Sequence, residues 1–492
     1  MKKFILILLT YLCLCNFALA EELMQVPLVM HIASSASDGR YSVADIVRIA
    51  RENNIRVVII NERDLMRWEY GIWPLRNIIK KTVEYPSLFQ YGLKRYLKEF
   101  EDIQRKNPDM VLIPGLESAP YYYWQGSIFK NNLSLRNWHK HILVIGLENA
   151  GAIRNMPVIG NPQGLIMPWT FKGVFFYLFF PVALIVLGAF CLYKKNCPYP
   201  DRQRQHLVLF SCKIRTCGIF FIAIGILFLA NNYPFRDYKF DQYQGDLGIL
   251  PYQNLIDYVN RNHGLTFWAH PDIDNFQRTS RVMIETPEHS NDLLLSRGYT
   301  GFLVFYEGYK RVGIPGGIWD EVLGEYCKGK RKTPAWAIAG LSFDNRGKLG
   351  EYIADCRTML LLPGFNKSEV LNALRQGRMY ALRGKDSSQF ILDKFIVRAI
   401  NTNSIETIGG ELKLKVPPQI EISGRFLNGQ TRYLTVKLIK NGFVIKTYDV
   451  VTPFDIFYLD DNPHKEKKSY YRLDIQGDGL MLVSNPIFVD RE

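Results

Sequence analysis

Residues 27–50 read PLVMHIASSASDGRYSVADIVRIA, a short apolar run followed by a polar turn and an amphipathic segment. The run 28–31 predicts a buried strand, and residues 34–39 predict the turn. A helix is predicted to begin after Ser42, because Ser42 and Asp45 have the spacing of a capping box. A strand followed directly by a helix is the repeating unit of α/β folds.

The same alternation continues on both sides of a long apolar insertion. Continuous β-branched runs at residues 56–60, 109–113 and 141–145 are typical of buried parallel strands. Later strands are predicted at residues 265–269, 301–305 and 335–339, and helices at 252–262, 319–327 and between Ser368 and Gly377. We therefore predict one α/β barrel built from two chain segments, residues 21–165 and 236–388.

The pattern changes to strands alone from about residue 390. Asn441-Gly442 separates two alternating runs and is a strong short-range hairpin signal. Short strands with regular turns predict a small immunoglobulin-like β-sandwich over residues 389–492. A glycan or a partner protein is the kind of ligand expected for this sandwich.

Two uncharged segments, residues 173–193 and 216–235, are each long enough to cross a bilayer as a helix. The loop between them carries six bases and one acid: Lys194, Lys195, Arg202, Arg204, Lys213 and Arg215 against Asp201. This bias predicts a cytoplasmic loop and a transmembrane helical hairpin over residues 172–235. The alternative is a pair of helices buried in a soluble core.

The amino terminus carries a second targeting signal. Residues 1–20 combine a basic start, an apolar run and an A-x-A site, which is typical of a cleaved secretory signal; an uncleaved anchor is the alternative. The two signals agree on topology. They predict a protein of the bacterial inner membrane with its barrel and sandwich on the periplasmic side.

Composition restricts the partners of the chain. The net charge of +14 includes the basic loop and two lysines of the signal segment, so part of it reflects topology. No zinc finger or basic–aromatic RNA-binding motif is present, and we expect no nucleic-acid partner. Cys327 and Cys356 are the two cysteines predicted to be exported, and the sequence leaves a disulfide between them open.

Four potential metal ligands, His31, Glu117, His141 and His270, lie at or just beyond predicted strand ends. Barrel enzymes keep their catalytic groups at this edge. Imidazole and carboxylate ligands suit Zn, Mn or Fe. A single histidine at such a position is more often structural, so a metal site requires that these side chains meet in space.

Six short motifs surround these residues. They are His31-Ile32-Ala33-Ser34 followed by Ser37-Asp38-Gly39, Asn61-Glu62-Arg63, Gly115-Leu116-Glu117, His141-Ile142-Leu143, Ala269-His270-Pro271 and Leu341-Ser342-Phe343-Asp344. Together they resemble the motifs of the PHP (polymerase and histidinol phosphatase) superfamily over about residues 27–384, apart from the apolar insertion. Ala33, Arg63, Ser342 and Asp344 stand where the family pattern has other, metal-ligating residues.

The resemblance implies a distorted seven-stranded β/α barrel that binds up to three metals for phosphoester hydrolysis. Of the three implied sites, the one formed by Glu117, His141 and His270 is complete. The resemblance therefore implies one divalent ion in this chain, with His31 as a further ligand. His31 or Asp344 is expected to orient or deprotonate a water molecule as the catalytic group.

Three further residues are expected to contact a phosphorylated or anionic small substrate: Arg63, His139 and Asp38. Arg63 offers fixed positive charge and paired donors for a phosphate, and we hypothesise that it replaces one cation when paired with Asp38, Glu62 or Asp344. The alternative is a salt bridge that fills an inactive pocket. At the level of the whole chain, we predict a membrane-anchored phosphoester hydrolase with a reduced site, and the alternative is an inactive ligand-binding or scaffolding module.

Overall fold

A computed structural model describes residues 23–166, 171–193, 205–279, 282–343, 345–400, 404–461 and 467–491. The predicted signal segment, the loop residues 194–204 and the candidate catalytic residue Asp344 lie outside the described residues. The described chain is a mixed α/β protein with one large sheet and additional all-β parts.

Seven strands form one half of the large sheet. They are β1 (Met24–Ile32), β2 (Val57–Arg63), β3 (Val111–Ser118), β4 (Ile142–Ile145), β5 (Leu265–Trp268), β6 (Gly301–Leu303) and β7 (Trp336–Ile338). Their spatial order is β7-β6-β5-β4-β3-β2-β1. This neighbour order follows the chain order, as expected of sequential strand–helix units.

Strand β4 departs from the predicted parallel arrangement. Strands β1 to β3 are mutually parallel, as are β5 to β7, but β4 is antiparallel to both β3 and β5. The prediction that residues 141–145 form a parallel strand is therefore wrong in direction. A parallel neighbour needs a long crossover, usually a helix, and the chain between β3 and β4 contains only short strands and a single 3-10 turn.

Closure of these seven strands into a barrel is not confirmed. Strands β1 and β7 share no ladder in the described chain, and the large sheet continues from β1 into later strands. One backbone hydrogen bond links the two ends, from the Leu341 N–H to the Met30 carbonyl at 3.0 Å. The ends of β1 and β7 are therefore close at the edge where the candidate ligands lie.

Helices cover the sheet, and four of them lie where the sequence predicted helices: after Ser42, near residues 252–262 and 319–327, and before Gly377. The longer ones are Val43–Glu52, Leu93–Lys106, Leu250–Arg261, Ile318–Cys327, Leu349–Asp355 and Lys367–Gln376, and the short ones are Leu88–Tyr91, Ala150–Arg154 and Asp292–Leu295. The Ser42 hydroxyl accepts from the Asp45 N–H at 3.1 Å, which confirms the first cap. The last helix is capped by Asn366 and not by Ser368 as predicted, and it ends at Gly377 with φ 71° as expected.

Short strands outside the large sheet form three smaller sheets. Two are two-stranded ribbons, Arg67–Gly71 with Lys80–Glu84 and Leu165–Ile166 with Asp237–Tyr238. The third has four strands in the order Asn275–Thr279, Val282–Thr286, Ser134–Arg136 and Tyr123–Gln125. Aromatic side chains lie among them and are mostly packed inside the fold. Trp68, Tyr122 and Trp124 are buried, whereas Trp73 is 75% exposed.

The apolar insertion forms two packed helical segments. The first runs through Phe171–Val174, a π-helical turn Phe175–Phe179 and Phe180–Tyr193, and the second is Gln205–Asn232. They approach closely at Gly188 and Gly218, since a Cβ on Gly188 would lie 2.5 Å from the Gly218 carbonyl oxygen. Phe175–Tyr193 and Arg215–Asn232 are long and apolar enough to cross a membrane, and only 11% and 17% of their residues are buried. This low burial argues against the alternative of buried core helices.

The fold has two parts, called halves below although they differ in length. The second, the sandwich, covers residues 390–491 and consists of two sheets. Its strands are Phe390–Ala399, Ile405–Thr407, Glu411–Leu414, Pro418–Phe426, Tyr433–Lys440, Phe443–Val451, Phe454–Leu459, Lys468–Gly477, Leu480–Ser484 and Ile487–Arg491. Four of them form a separate sheet, and the others extend the large sheet. Asn441 and Gly442 form the predicted hairpin turn, with φ values of 50° and 88°.

Strands β8 (Cys356–Leu362) and β9 (Met379–Arg383) lie between the cores of the two halves and contribute side chains to both. Strand β8 pairs with β1, and β9 pairs with Leu480–Ser484. Because side chains alternate between the faces of a strand, Leu360 and Ala381 enter the core of the first half while Leu361 and Leu382 enter the core of the sandwich. The two halves are therefore continuous through backbone hydrogen bonds.

A buried ion pair also joins the two halves. Arg472, in strand Lys468–Gly477, donates to both carboxylate oxygens of Asp320 at 2.8 and 2.6 Å. Asp320 lies in helix Ile318–Cys327 of the first half and also accepts from the Tyr470 hydroxyl at 2.8 Å. The Arg472 guanidinium stacks 4.7 Å from the Trp319 ring centroid, and Arg472 is fully buried.

The cysteine pair left open by the sequence is not bonded. Among the described residues, Cys327 and Cys356 form no disulfide. Cys356 is buried in β8, where its thiol lies 3.6 Å from the Gly340 carbonyl oxygen.

Candidate metal and anion site

The edge of the sheet gathers residues that are distant in the sequence. His31 and Arg63 lie at the carboxyl ends of parallel strands β1 and β2, and Arg63 pairs in register with Glu117 of β3. The reversed direction of β4 places His141, which precedes it, at this same edge. Ile142 pairs with Ser118 on one side and Trp268 on the other, so His141 also lies beside the end of β5, just before His270.

Three side chains bring their ligand atoms together. The nearest ligand atoms of His31, Glu117 and His270 all lie within 4.8 Å of one another. The His31 Nε2 to Glu117 Oε2 distance is 3.4 Å. Two ligands of one tetrahedral zinc ion, each about 2.1 Å from the metal, are separated by about 3.4 Å. This spacing is suitable for two ligands on a single cation.

His141 contacts the same carboxylate from the other side. Its Nε2 lies 3.1 Å from the Trp138 carbonyl, which can only accept, so Nε2 carries the proton and Nδ1 presents a lone pair. That Nδ1 lies 2.5 Å from Glu117 Oε1. The two atoms are not aligned as a hydrogen bond, and both are buried without a hydrogen-bond partner. Of the predicted trio, Glu117 and His270 belong to the group of mutually close ligand atoms, whose third member is His31, whereas His141 lies outside that group and contacts Glu117 Oε1.

The orientations of His31 and His270 are fixed by neighbouring polar groups. The backbone N–H of His31 donates to Asn61 Oδ1 at 2.8 Å, and its Nδ1 lies 3.1 Å from the Ser342 hydroxyl. His270 Nδ1 lies 2.9 Å from the Glu307 carboxylate, which leaves Nε2 available as a ligand. A carboxylate behind a ligating histidine is a common arrangement in metal sites.

Three residues at the same edge have a strained backbone. His31, His270 and Ser342 all have positive φ, at 63°, 50° and 48°. For residues with a Cβ this conformation costs about 1–3 kcal/mol each, and it persists where surrounding contacts hold it. Such strained positions cluster at functional sites, which agrees with a functional role for this edge.

Glu307 is a site residue that the sequence analysis missed. It follows strand β6 by four positions and is exposed over 46% of its side chain. The hydrogen bond from His270 lowers the pKa of Glu307. The available signal was an acidic residue just beyond the carboxyl end of a strand, although no motif marked it.

Arg63 lies between Asp38 and Glu117. Its Nε donates to Asp38 Oδ2 at 2.7 Å, and its Nη1 is 3.4 Å from Glu117 Oε1. Of the partners considered for Arg63, Asp38 is confirmed and Glu62 is wrong. Glu62 instead accepts from the backbone of Ser34 at 3.1 Å and from the hydroxyls of Ser34 and Ser37, and so holds the polar turn.

Several buried polar atoms without a hydrogen-bond partner surround the same point. Arg63 Nη1, Glu117 Oε1, His141 Nδ1 and His139 Nε2 are all buried without a hydrogen-bond partner. Leaving a polar atom in this state costs about 1–3 kcal/mol, and more for charged groups. Such a group of unsatisfied atoms fits a bound cation together with an anion. The residues present therefore suit a divalent metal with nitrogen and oxygen ligands.

The electrostatics favour an ionised Glu117 and neutral His141 and His139. Burial raises the pKa of Glu117, but the Arg63 guanidinium and two nearby imidazoles outweigh it and hold that pKa well below its usual value. Burial lowers the pKa of His141, with partial opposition from Glu117. Burial and the neighbouring His141 and Arg63 lower the pKa of His139 to about 3. Neutral imidazoles and an ionised carboxylate are the protonation states that bind metals.

His139 is positioned by a neighbouring ribbon. Its backbone N–H donates to the Thr286 hydroxyl at 3.0 Å, and its ring centroid is 6.0 Å from that of His141. The substrate contact expected of His139 stays a prediction.

Comparisons with known proteins give distant similarities. No model of a known protein family and no curated protein matches the chain. A solved two-domain protein from Bacteroides vulgatus, described as containing a predicted PHP-like metal-dependent phosphoesterase, is 11% identical with a TM-score of 0.35, over 93% of this chain and 92% of its own. A solved protein from Bifidobacterium adolescentis, assigned provisionally as a metal-dependent phosphoesterase, is 14% identical with a TM-score of 0.27, over 65% and 89%. These similarities are too distant to assign a fold or an activity.

Proposed function

We propose that this protein is a phosphoester hydrolase with a reduced metal site that holds one divalent cation. The observation that carries the proposal is the convergence of buried ligand atoms from His31, Glu117 and His270, with His141 against the same carboxylate. Zn, Mn and Fe are the candidate metals, because the donors are imidazole and carboxylate.

The residues at this edge have separate roles in the proposal. His31, Glu117, His141 and His270 hold the cation, which supplies Lewis-acid polarisation and water activation when bound. Arg63 Nη1, which has no hydrogen-bond partner and lies 3.4 Å from Glu117 Oε1, binds a phosphoryl oxygen. His139 Nε2, also unpaired, contacts the same group. Glu307 orients His270, and Ser342 orients His31.

Metal content and turnover test the proposal together. Detergent-purified protein is loaded with Zn, Mn or Fe, assayed for bound metal, and incubated with p-nitrophenyl phosphate and its diester analogue. We expect one ion per chain and hydrolysis of one of the two probes. Glu117→Gln and His270→Ala should lose both, whereas the exposed His263→Ala should keep both. Equal metal content in all four proteins would contradict the proposal.

A second candidate is an inactive module that binds an anion. It is favoured by one observation, the 3.4 Å approach of Arg63 Nη1 to Glu117 Oε1, which already gives the carboxylate a positive partner. In that case the protein binds inorganic phosphate without hydrolysing either probe, and chelation leaves the phosphate affinity unchanged.

We further propose that the two apolar helices anchor the protein in a bacterial inner membrane, with both soluble segments on the periplasmic side. The exposed apolar surfaces of Phe175–Tyr193 and Arg215–Asn232 support the anchor, and the basic loop between them supports the orientation. Resistance to alkaline carbonate extraction tests the anchor. An alkaline phosphatase fused to the carboxyl terminus tests the side, because it is active only outside the cytoplasm.

A further inference from the structure

An exposed apolar tip lies beside the end of the helical hairpin. Strands Arg67–Gly71 and Lys80–Glu84 pair as a two-stranded ribbon outside the large sheet, and residues 72–79 connect them. In this connection, here called the ribbon tip, Trp73 is 75% exposed, Ile78 45% and Ile79 48%. Large apolar side chains exposed together on one short segment indicate an interaction surface.

Hydrogen bonds fix the ribbon tip to the second apolar helix. The backbone N–H of Asn77 donates to Asn231 Oδ1 at 2.9 Å, and Asn77 Nδ2 donates to the Asn231 carbonyl at 2.8 Å. Asn231 lies in the last turn of that helix. Its neighbour Asn232 donates from Nδ2 to the Tyr177 carbonyl at 3.1 Å, near the start of the first span. The ribbon tip is therefore held at the level where both apolar helices meet the soluble part.

The residues at this end of the helical hairpin are of the types found at a membrane interface. Trp73 and the 72% exposed Tyr233 are the aromatic types enriched where a bilayer meets water. Lys81 is exposed in the adjoining strand, and Lys80 lies 2.9 Å from Glu69. Apolar side chains at the tip with cations next to them match acyl chains below anionic headgroups.

We propose that the ribbon tip is a second membrane contact, in which Trp73, Ile78 and Ile79 insert into the outer interface of the bilayer crossed by the helical hairpin. This inference rests on the proposed membrane anchor and goes beyond it. The ribbon also contacts the segment that follows Glu117, because Trp124 Nε1 donates to the Glu69 carbonyl at 2.8 Å and the Glu69 N–H donates to the Tyr122 hydroxyl at 3.0 Å. The second contact therefore fixes the tilt of the candidate site relative to the membrane.

Fluorescence quenching by brominated lipids tests this contact on the full chain. The protein is reconstituted into nanodiscs of phosphatidylcholine and phosphatidylglycerol, with bromine either absent or high on the acyl chains. The Trp73 emission is the difference between wild type and Trp73→Phe, which removes the signal of the other tryptophans. We expect blue-shifted Trp73 emission that is lost with brominated lipid and is resistant to aqueous iodide.

A matched control places a tryptophan on the sandwich. Phe443 is 77% exposed, and its strand Phe443–Val451 pairs with Tyr433–Lys440 at the end of the large sheet. In the double variant Trp73→Phe/Phe443→Trp, the new emission should be quenched by iodide and unaffected by bromine. Trp73 emission that behaves like this control, in protein that has entered the nanodiscs, overturns the second contact and leaves the anchor standing. Protein that does not enter nanodiscs overturns both.

Discussion

His31 and Glu117 lie on strands that do not pair with each other, yet their side chains approach to 3.4 Å between Nε2 and Oε2. Strand β2 separates the two strands and ends in Arg63, whose guanidinium points toward the same carboxylate. The three parallel strands thus place an imidazole, a guanidinium and a carboxylate side by side. This arrangement combines ligands for a cation with a fixed charge for an anion.

Glu307 is predicted to strengthen metal binding through His270. Replacing it with Gln removes the negative charge behind His270 Nδ1, and changes of this kind typically lower metal affinity about 10–100-fold. Competition with a chromogenic chelator measures the effect. Glu288→Gln is the matched control, because the Glu288 carboxylate lies 3.5 Å from Arg311 Nη1. Equal affinities of the two variants would show that Glu307 does not support the site.

Arg63 is predicted to bind the phosphoryl group. Arg63→Ala should weaken the binding of inorganic phosphate roughly ten-fold or more, because a charge-assisted hydrogen bond contributes about 1.5–3 kcal/mol. Arg63→Lys should recover only part of the affinity, since it keeps the charge and loses the paired donors. Calorimetric titration gives the affinities, and the exposed Arg40→Ala serves as the control. Unchanged metal content and unchanged phosphate affinity in Arg63→Ala would remove this role.

The Arg472–Asp320 pair is predicted to stabilise the junction of the two halves. Arg472→Met leaves the Asp320 carboxylate buried without its main partner, which costs about 3–5 kcal/mol. The double variant Arg472→Met/Asp320→Leu should recover much of this loss, because no buried charge remains. Arg48→Met, which breaks an exposed pair with Glu52 at 2.8 Å, should cost less than about 1 kcal/mol. Thermal unfolding in detergent compares the four proteins, and a double variant no better than the single one would refute the explanation.

Asp64 is predicted to make stability depend on pH. Burial raises its pKa from 3.8 to about 7, although hydrogen bonds from Ser118 and from the Leu65 backbone oppose the shift. The folded state therefore retains a proton that the unfolded chain releases, so stability falls as pH rises from 3.8 to about 7 and is level above that. Asp64→Asn should be flatter over this range when unfolding is measured with a chelator present. A slope equal to that of the wild type would contradict the assignment.

The sequence predicted the positions of the strand ends better than the directions of the strands. Apolar runs precede His31, Glu117 and His270. Such runs can be recognised in a sequence because buried strands need continuous apolar residues. The apolar run Ile142–Ile145 would look the same in a parallel or an antiparallel strand. The antiparallel direction of β4 could therefore not be predicted from the sequence. The resulting position of His141 depends on tertiary pairing alone.

The contacts around the ligands were less predictable than the ligands. Glu307 reaches His270 through the loop after β6, and no local pattern encodes a contact between separate loops. Ser342 stands where the resemblance to the PHP pattern implied a metal ligand, and its hydroxyl lies 3.1 Å from His31 Nδ1. The cap at Asn366 was missed because Ser368, two residues later, is an equally suitable capping residue.

The position of β8 and β9 between the two cores has a mechanical consequence. Strand β9 is joined to Leu480–Ser484 by four residue pairs, and β8 is joined on its other side to β1, the strand that carries His31. Rotation of the sandwich as a separate body would break the hydrogen bonds of these ladders. The sandwich and the candidate site therefore move together as one body. A force applied to the sandwich is thus transmitted through the paired strands to His31.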